Sequence, residues 1–214
     1  MKSIYFALTF LLLINYTAKA QESDIPDYRN KRESFKKLLD KDLRSDLACF
    51  ALGALDEAVS KQPLAQMPIA DYKSNFIRFE GDKIAVIITA GDFDKTKHKL
   101  LYYDEKYLTK IDNKPFFATR PGDVPKKAIE AVTVIFGRDT IHLPATAFND
   151  LYEPVFCKAN TGSNTAKCNT AVYFSNDKNR MYIYMLSSDG SNGYEVTWVL
   201  QNKLYVRRVV DYGF

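Results

Sequence analysis

Two of the three cysteines are spaced for oxidative chemistry. Cys157 and Cys168 flank the polar stretch 158–167. In an oxidising compartment they would close a loop of about 12 residues and stabilise the fold by about 2–3 kcal/mol. We therefore predict a Cys157–Cys168 disulfide, the alternative being two reduced and unrelated thiols. Cys49 lies between Leu47 and Phe50 on a predicted helix, where it has the place of a small buried hydrophobic residue.

Histidine and carboxylate chemistry has weaker support in the sequence. Neither His98 nor His142 has a partner at helical i, i+4 spacing, and no GxSxG, HExxH, GxxxxGK[ST] or GxGxxG motif occurs. A dyad of His142 with a cysteine requires a thiol that the predicted disulfide would consume. The oxygen-rich stretch 189–195 resembles a turn between strands more than a calcium loop. We predict no catalytic residue, no metal site and no cofactor.

Tyrosine and arginine on the last strands form the candidate binding surface. Tyr205 and Arg207 alternate with apolar residues, and Tyr182 and Tyr184 show the same spacing on a neighbouring run. Both residue types are enriched at protein interfaces, so these four side chains are the predicted binding residues. The alternative is that the tyrosines pack on one another across a half-exposed sheet.

The N-terminus has the pattern of an export signal. Lys2 precedes an apolar run, and Ala18-Lys19-Ala20 places small residues before a cut at Gln21. We predict a cleavable signal peptide over residues 1–20 and a flexible lead-in over 21–30. The alternative for the first segment is an uncleaved anchor or an amphipathic first helix. The expected location is periplasmic or secreted. No transmembrane segment is predicted in the mature chain.

Charge and length limit the partners. Removal of the signal leaves 28 basic against 26 acidic residues, which gives no broad positive field for nucleic acid. The expected partner is an envelope protein or a small ligand of unknown identity. The absence of a linker or repeat predicts a single domain over residues 31–214.

The elements that would position these residues are helices followed by strands. A first helical segment is predicted from near Lys31, and a second helix from Ser45, as its N-cap, to Ser60, because apolar residues recur there with helical spacing. The alternative is one long helix that joins the two. Beyond Pro68 the period changes to two, and Gly81-Asp82 is predicted as a hairpin turn. Short turns, the last at Asn202-Lys203, separate four final runs, 170–175, 180–186, 194–200 and 204–210. We predict an α+β fold, with N-terminal helices packed on a mostly antiparallel sheet that ends in a four-stranded meander.

Several segments of the second half look familiar together: Lys110–Phe117, Ile141–Pro144, Asn149–Pro154 and the closing stretch from Asp189 to Asp211. With them the chain resembles a group of uncharacterised secreted bacterial proteins with a similar C-terminal pattern. The resemblance covers about residues 105–214. It implies an envelope or secreted location and carries no known activity or site residue.

Two functions follow as expectations. The first is a non-catalytic binding or interaction protein of the bacterial envelope. The second is a small exported hydrolase with an unrecognised carboxylate or histidine site, which a cleft that joins two carboxylates, or His142 beside an acid, would favour.

Overall fold

The computed structural model describes residues 35, 37–54, 63–159, 166–188, 190 and 192–212. The predicted signal peptide and lead-in lie outside these residues. Helix α1 spans Lys41–Leu47, and short 3-10 turns occur at Leu52–Ala54, Lys95–Lys97 and Ala145–Ala147. The strands are β1 Ala65–Met67, β2 Ile69–Lys73, β3 Phe76–Gly81, β4 Ile84–Asp92, β5 Leu100–Tyr103, β6 Tyr107–Ile111, β7 Lys127–Phe136, β8 Asp139–His142, β9 Cys157–Ala159, β10 Ala166–Cys168, β11 Thr170–Phe174, β12 Arg180–Ser188, β13 Gly193–Gln201 and β14 Leu204–Tyr212.

Two five-stranded antiparallel sheets form most of the molecule. Sheet A has the order β1-β11-β12-β13-β14, and sheet B has the order β2-β3-β4-β7-β8. The strands β5–β6 and β9–β10 form two further hairpins. Between β1 and β2 the chain passes from sheet A to sheet B at Pro68, so this residue lies at an edge where the sheets meet.

The main hydrophobic core lies between the two sheets. Phe79 and Ile88 of sheet B and Ile183 and Trp198 of sheet A belong to one cluster, and each is fully buried. Sheet B follows the alternation expected of a sheet with one face in the core, since β3 and β4 alternate between buried and partly exposed residues. The sandwich therefore rests on apolar side chains that both sheets contribute.

The predicted α+β class is wrong. The described residues are mostly strand, with one short α-helix, and sheet packs on sheet where helices were expected to cover one sheet. The reason is long-range pairing that local periodicity does not show. Met67 pairs with Val172, so a strand from the start of the sheet region joins sheet A beside the last four strands.

The helix prediction also needs correction. Asp40, and not Ser45, is the N-cap of α1, and its carboxylate accepts from the Leu43 amide at 2.9 Å. The helix ends at Leu47, and residues 55–60 of the predicted helix lie outside the described part. After α1, Glu195 of sheet A accepts hydrogen bonds from the Leu52 and Gly53 amides at 2.8 and 2.6 Å, which fastens this part of the chain to the sheet.

This N-terminal segment covers the outer face of sheet A. Leu43 and Leu47 of α1 share a buried cluster with Tyr182, Tyr184 and Val199 of the sheet. As a result β13 is buried on both faces along almost its whole length. Sheet A is thus the middle layer, and its outer face is closed to ligands where α1 lies on it.

Candidate ligand-binding site

Two of the predicted binding residues lie under the N-terminal segment. Tyr182 is fully buried and donates to the Asp46 carboxylate at 2.5 Å, and Tyr184 donates to Glu195 at 2.9 Å. Burial, together with the carboxylate that each hydroxyl meets, raises the pKa of both tyrosines above the ordinary value. The Tyr182 hydroxyl thus binds the N-terminal segment directly, whereas the Tyr184 hydroxyl binds Glu195 of the sheet, which in turn accepts from the Leu52 and Gly53 amides of that segment.

The other two predicted residues lie on opposite faces of β14. A β-bulge between Val199 and Leu200 of β13 changes the register, so that Leu200 pairs with Tyr205 while Val199 pairs with Arg207. Tyr205 therefore packs against the main core, and Arg207 is exposed. The four side chains do not share one surface, and a binding role for exposed Arg207 stays a prediction.

The predicted disulfide is confirmed. Cys157 and Cys168 are bonded, and they pair directly across β9 and β10. Cys49 is half-buried just after α1, with its sulfur 3.5 Å from the Ser45 carbonyl oxygen.

The histidines have polar neighbours on the surface. His142 is exposed, with Nδ1 3.2 Å from the Thr133 hydroxyl, and Nδ1 of His98 lies 2.7 Å from the Asp112 carboxylate. Among the described residues, no group of three His, Cys, Asp or Glu side chains is placed to hold a metal ion.

Two carboxylates do come together, but inside the protein. Glu195 and Asp211 pair across β13 and β14, and each residue is only 4% exposed. A Cβ built on Gly53 would lie 2.4 Å from an Asp211 oxygen and 3.0 Å from a Glu195 oxygen. The pair therefore lies directly beneath the N-terminal segment, inside the protein.

A cleft of about 660 Å³ opens between the two sheets at one end of the sandwich. Its volume lies within the range of about 300–1,000 Å³ that is usual for ligand sites. We call it the inter-sheet cleft. The residues that line it are Ala65, Gln66, Met67, Pro68, Gly81, Asp82, Ile84, Phe136, Phe174, Lys178, Asn179, Met181, Leu200, Asn202 and Lys203.

The apolar part of the inter-sheet cleft continues the main core. Met67, Met181 and Leu200 are buried members of the core cluster, and Phe136 and Phe174 pack against that cluster while remaining partly exposed. Burial of ligand methylene groups against such a surface is favourable by about 0.8 kcal/mol each. The floor can therefore hold an apolar chain.

The charged residues of the inter-sheet cleft come from the turns. Asp82, Lys178 and Lys203 are exposed and provide two positive charges against one negative charge. The Lys203 ammonium lies 5.6 Å from the centroid of the Phe136 ring, which places it directly over an aromatic side chain of the cleft. The net positive charge favours an anionic group on a bound molecule.

Backbone hydrogen bonds hold these turns in place. The Asn202 amide donates to the Asn179 carbonyl at 3.0 Å, which joins the β13–β14 turn to the β11–β12 turn. Asn202 and Lys203 both have positive φ, as in a type I′ turn, and so do Asp82 and Lys83 of the β3–β4 turn. Lys203 and Lys83 have the same φ, 62°, but only Lys203 lines the inter-sheet cleft.

Sequence reasoning did not find this site. Its lining comes from strands and turns spread over residues 65–203, and no local motif marks it. The available signals were the turns predicted at Gly81-Asp82 and Asn202-Lys203, which line the cleft but carried no functional meaning without their neighbours across the fold.

Comparison with known proteins adds no relative. The chain matches no family model, no curated protein and no solved structure. Within the described part of the chain, no helix has the length and apolar character that crossing a bilayer requires.

Proposed function

We propose that this chain is an exported, non-catalytic binding protein of the bacterial envelope. In this proposal the inter-sheet cleft holds an amphipathic ligand, with a single acyl chain on the apolar floor and an anionic head group near Lys203 and Lys178. The observation that carries the proposal is a preformed apolar cavity between the sheets with a net positive mouth. The export-signal pattern of residues 1–20 and the resemblance to secreted bacterial proteins support the location.

The apolar floor gives the proposal a quantitative test. Each ligand methylene that leaves water for the cleft should tighten binding about fourfold, which corresponds to about 0.8 kcal/mol. Octanoate, decanoate and dodecanoate, each titrated by calorimetry below its micelle concentration, should therefore bind with steadily rising affinity. Equal affinity across the series would contradict a buried acyl chain.

The mouth gives a second test, which concerns charge. Lys203→Ala should weaken dodecanoate binding by up to about fivefold, because an exposed ion pair contributes about 0.2–1 kcal/mol. Lys83→Ala is the matched control, since Lys83 occupies the same position in an equivalent turn and does not line the cleft. Dodecyltrimethylammonium, with the same chain length and a cationic head, should bind more weakly than dodecanoate. An equal loss in both variants would contradict head-group recognition at Lys203.

Steric occlusion tests the location of the ligand. Ala65 is exposed on edge strand β1 and lines the inter-sheet cleft, so Ala65→Trp should fill part of the cavity and weaken dodecanoate binding by at least about tenfold. Ala70 is an exposed alanine on edge strand β2 and does not line the cleft. Ala70→Trp should bind like the wild type, and a similar loss in both variants would refute this location.

A small hydrolase is the second candidate, and one observation favours it. Asp112 holds the His98 imidazole at 2.7 Å, which is the arrangement of an oriented general base. Turnover of a simple activated ester that disappears in His98→Ala, but persists in His142→Ala, would support this candidate. Turnover that both variants retain would remove it.

A further inference from the structure

A second cavity lies at the opposite end of sheet A from the inter-sheet cleft. It has a volume of about 430 Å³ and is enclosed by the β5–β6 hairpin, the 115–122 loop and the ends of β13 and β14. We call it the tyrosine pocket. Six aromatic side chains line it: Tyr103, Tyr107, Phe116, Phe117, Tyr194 and Tyr212.

Glycine at position 122 fixes one wall of the tyrosine pocket. Gly122 has φ +91°, and a Cβ there would lie 3.2 Å from Cδ1 of Tyr107. The Leu108 amide donates to the Gly122 carbonyl at 2.8 Å, which fastens the loop to β6. The ring of Tyr107 thus packs directly against the backbone of Gly122, which limits where the ring can lie.

The floor and the mouth of the pocket differ in what they offer a ligand. The Phe117 ring centroid lies 6.2 Å from that of Tyr194 and 5.6 Å from that of Tyr212, so these rings pack together as a floor. The Tyr194 hydroxyl donates to the Tyr152 carbonyl at 2.9 Å and is therefore engaged within the protein. Tyr103 and Tyr107 are 60% and 49% exposed, which leaves their rings accessible from solvent.

Among the residues that the structure describes, the lining of the tyrosine pocket contains no charged side chain, although charged residues make up 26% of the chain. The Lys106 ammonium lies beside this lining, 5.1 Å from the centroid of the Tyr107 ring. Because the described lining itself offers no counter-charge to a buried ionic group, it favours a neutral molecule. Tyrosine combines a flat apolar ring with a hydroxyl that can donate and accept, and Asn192 adds an amide to the lining.

We propose that the tyrosine pocket binds a neutral saccharide of one or two rings. A sugar ring presents apolar C–H groups on its faces and hydroxyl groups around its edge, which suits stacking on tyrosine rings that carry hydroxyls. The pocket volume lies within the range of about 300–1,000 Å³ typical of small-ligand sites. Proline-rich peptides also use aromatic-lined grooves, but they need an extended surface. The tyrosine pocket is a compact cavity bounded by a hairpin, a loop and two strand ends, and this favours the sugar.

The test is saturation-transfer NMR on the full mature chain with a panel of neutral sugars. The panel contains glucose, galactose, mannose, N-acetylglucosamine and its β-1,4-linked disaccharide, with glucuronate as the charged comparator and oligoproline as the peptide comparator. We expect at least one neutral sugar to bind and glucuronate to bind more weakly than glucose. Tyr107→Ala should weaken sugar binding about tenfold through loss of the stacking ring.

Two further variants separate recognition from folding. Tyr102 lies on the same hairpin, is 45% exposed and does not line the pocket, so Tyr102→Ala should leave sugar binding unchanged. Tyr107→Phe keeps the ring and should weaken binding by about twofold to tenfold through the lost hydroxyl. The proposal is overturned if no neutral sugar binds, if binding survives Tyr107→Ala, if Tyr102→Ala removes it equally, or if glucuronate or oligoproline binds better than the sugars.

Discussion

Truncation of Glu195 should release the N-terminal segment from sheet A. The Glu195 carboxylate accepts from the Leu52 amide at 2.8 Å, the Gly53 amide at 2.6 Å and the Tyr184 hydroxyl at 2.9 Å. The residue is 4% exposed, so water does not replace these bonds while the segment stays in place. Glu195→Ala would therefore leave three donors without this acceptor, of which the Gly53 amide and the Tyr184 hydroxyl are buried and the Leu52 amide is partly buried.

The size of the effect follows from those three donors. An unsatisfied buried donor costs about 1–3 kcal/mol, so the upper limit for Glu195→Ala is about 9 kcal/mol. Local detachment of the segment would let water reach the donors, and contributions within one network do not add fully. We expect the free energy of unfolding to fall by about 3–5 kcal/mol. Glu195→Gln keeps one oxygen acceptor and should cost less.

The assay is urea unfolding followed by fluorescence. Trp198 is the one tryptophan of the chain and is fully buried between the sheets, so its emission reports the unfolding of the core. Amide hydrogen exchange at Leu52 and Gly53 provides a local readout and should accelerate in Glu195→Ala.

The control is Glu80→Ala. Glu80 is an exposed strand glutamate whose side chain pairs with Arg78 at 2.8 Å, and its loss should change the free energy of unfolding by less than about 1 kcal/mol. A Glu195→Ala variant as stable as Glu80→Ala, with unchanged exchange at Leu52 and Gly53, would refute the anchoring role of Glu195.

Two further predictions concern the β5–β6 hairpin and its surroundings. Hydrogen bonds from the His98 side chain and the Lys99 amide hold the pKa of Asp112 below its usual value of 3.8. The ionised carboxylate therefore stabilises the fold fully above pH 3.8. This stabilisation is lost as the pH falls through the lowered pKa. An NMR titration should show His98→Ala raising the Asp112 midpoint, and an unchanged midpoint would contradict the hydrogen bond. Gly122→Ala should reduce the free energy of unfolding by about 1–3 kcal/mol, because it combines strained φ with a close approach to Tyr107. Gly137→Ala, at φ +63° with open space around it, should cost less, and equal losses in urea unfolding would refute the steric part.

Local patterns predicted many of the strands because their signals lie within a few residues. The β13–β14 turn at Asn202-Lys203 was predicted correctly, whereas the β3–β4 turn is Asp82-Lys83 and was expected one residue earlier at Gly81-Asp82. The disulfide was also accessible from the sequence, since its two cysteines lie close together in the chain and flank a polar loop.

The assignment of strands to sheets was not accessible in the same way. Nothing near Met67 indicates that β1 joins sheet A at Val172, and this long-range pairing is one reason why the α+β class failed. The predicted surface assumed that alternate residues of β14 lie on the same face of the sheet. The bulge opposite Val199 and Leu200 adds one residue to β14, so Tyr205 and Arg207 lie on opposite faces. The lining of the inter-sheet cleft comes from strands and turns of both sheets. It therefore depends on how the strands are assigned to sheets, which no local pattern indicates.

The most direct test of the proposed function uses the methionine methyl groups. Met67 and Met181 line the inter-sheet cleft, while Met185 lies on the same strand as Met181, is fully buried in the main core and does not line the cleft. In mature protein labelled with ¹³C at the methionine methyls, titration with dodecanoate should shift the Met67 and Met181 signals and leave Met185 nearly unchanged. A ligand that shifts neither of the first two signals, or shifts Met185 as strongly, would contradict binding in the cleft.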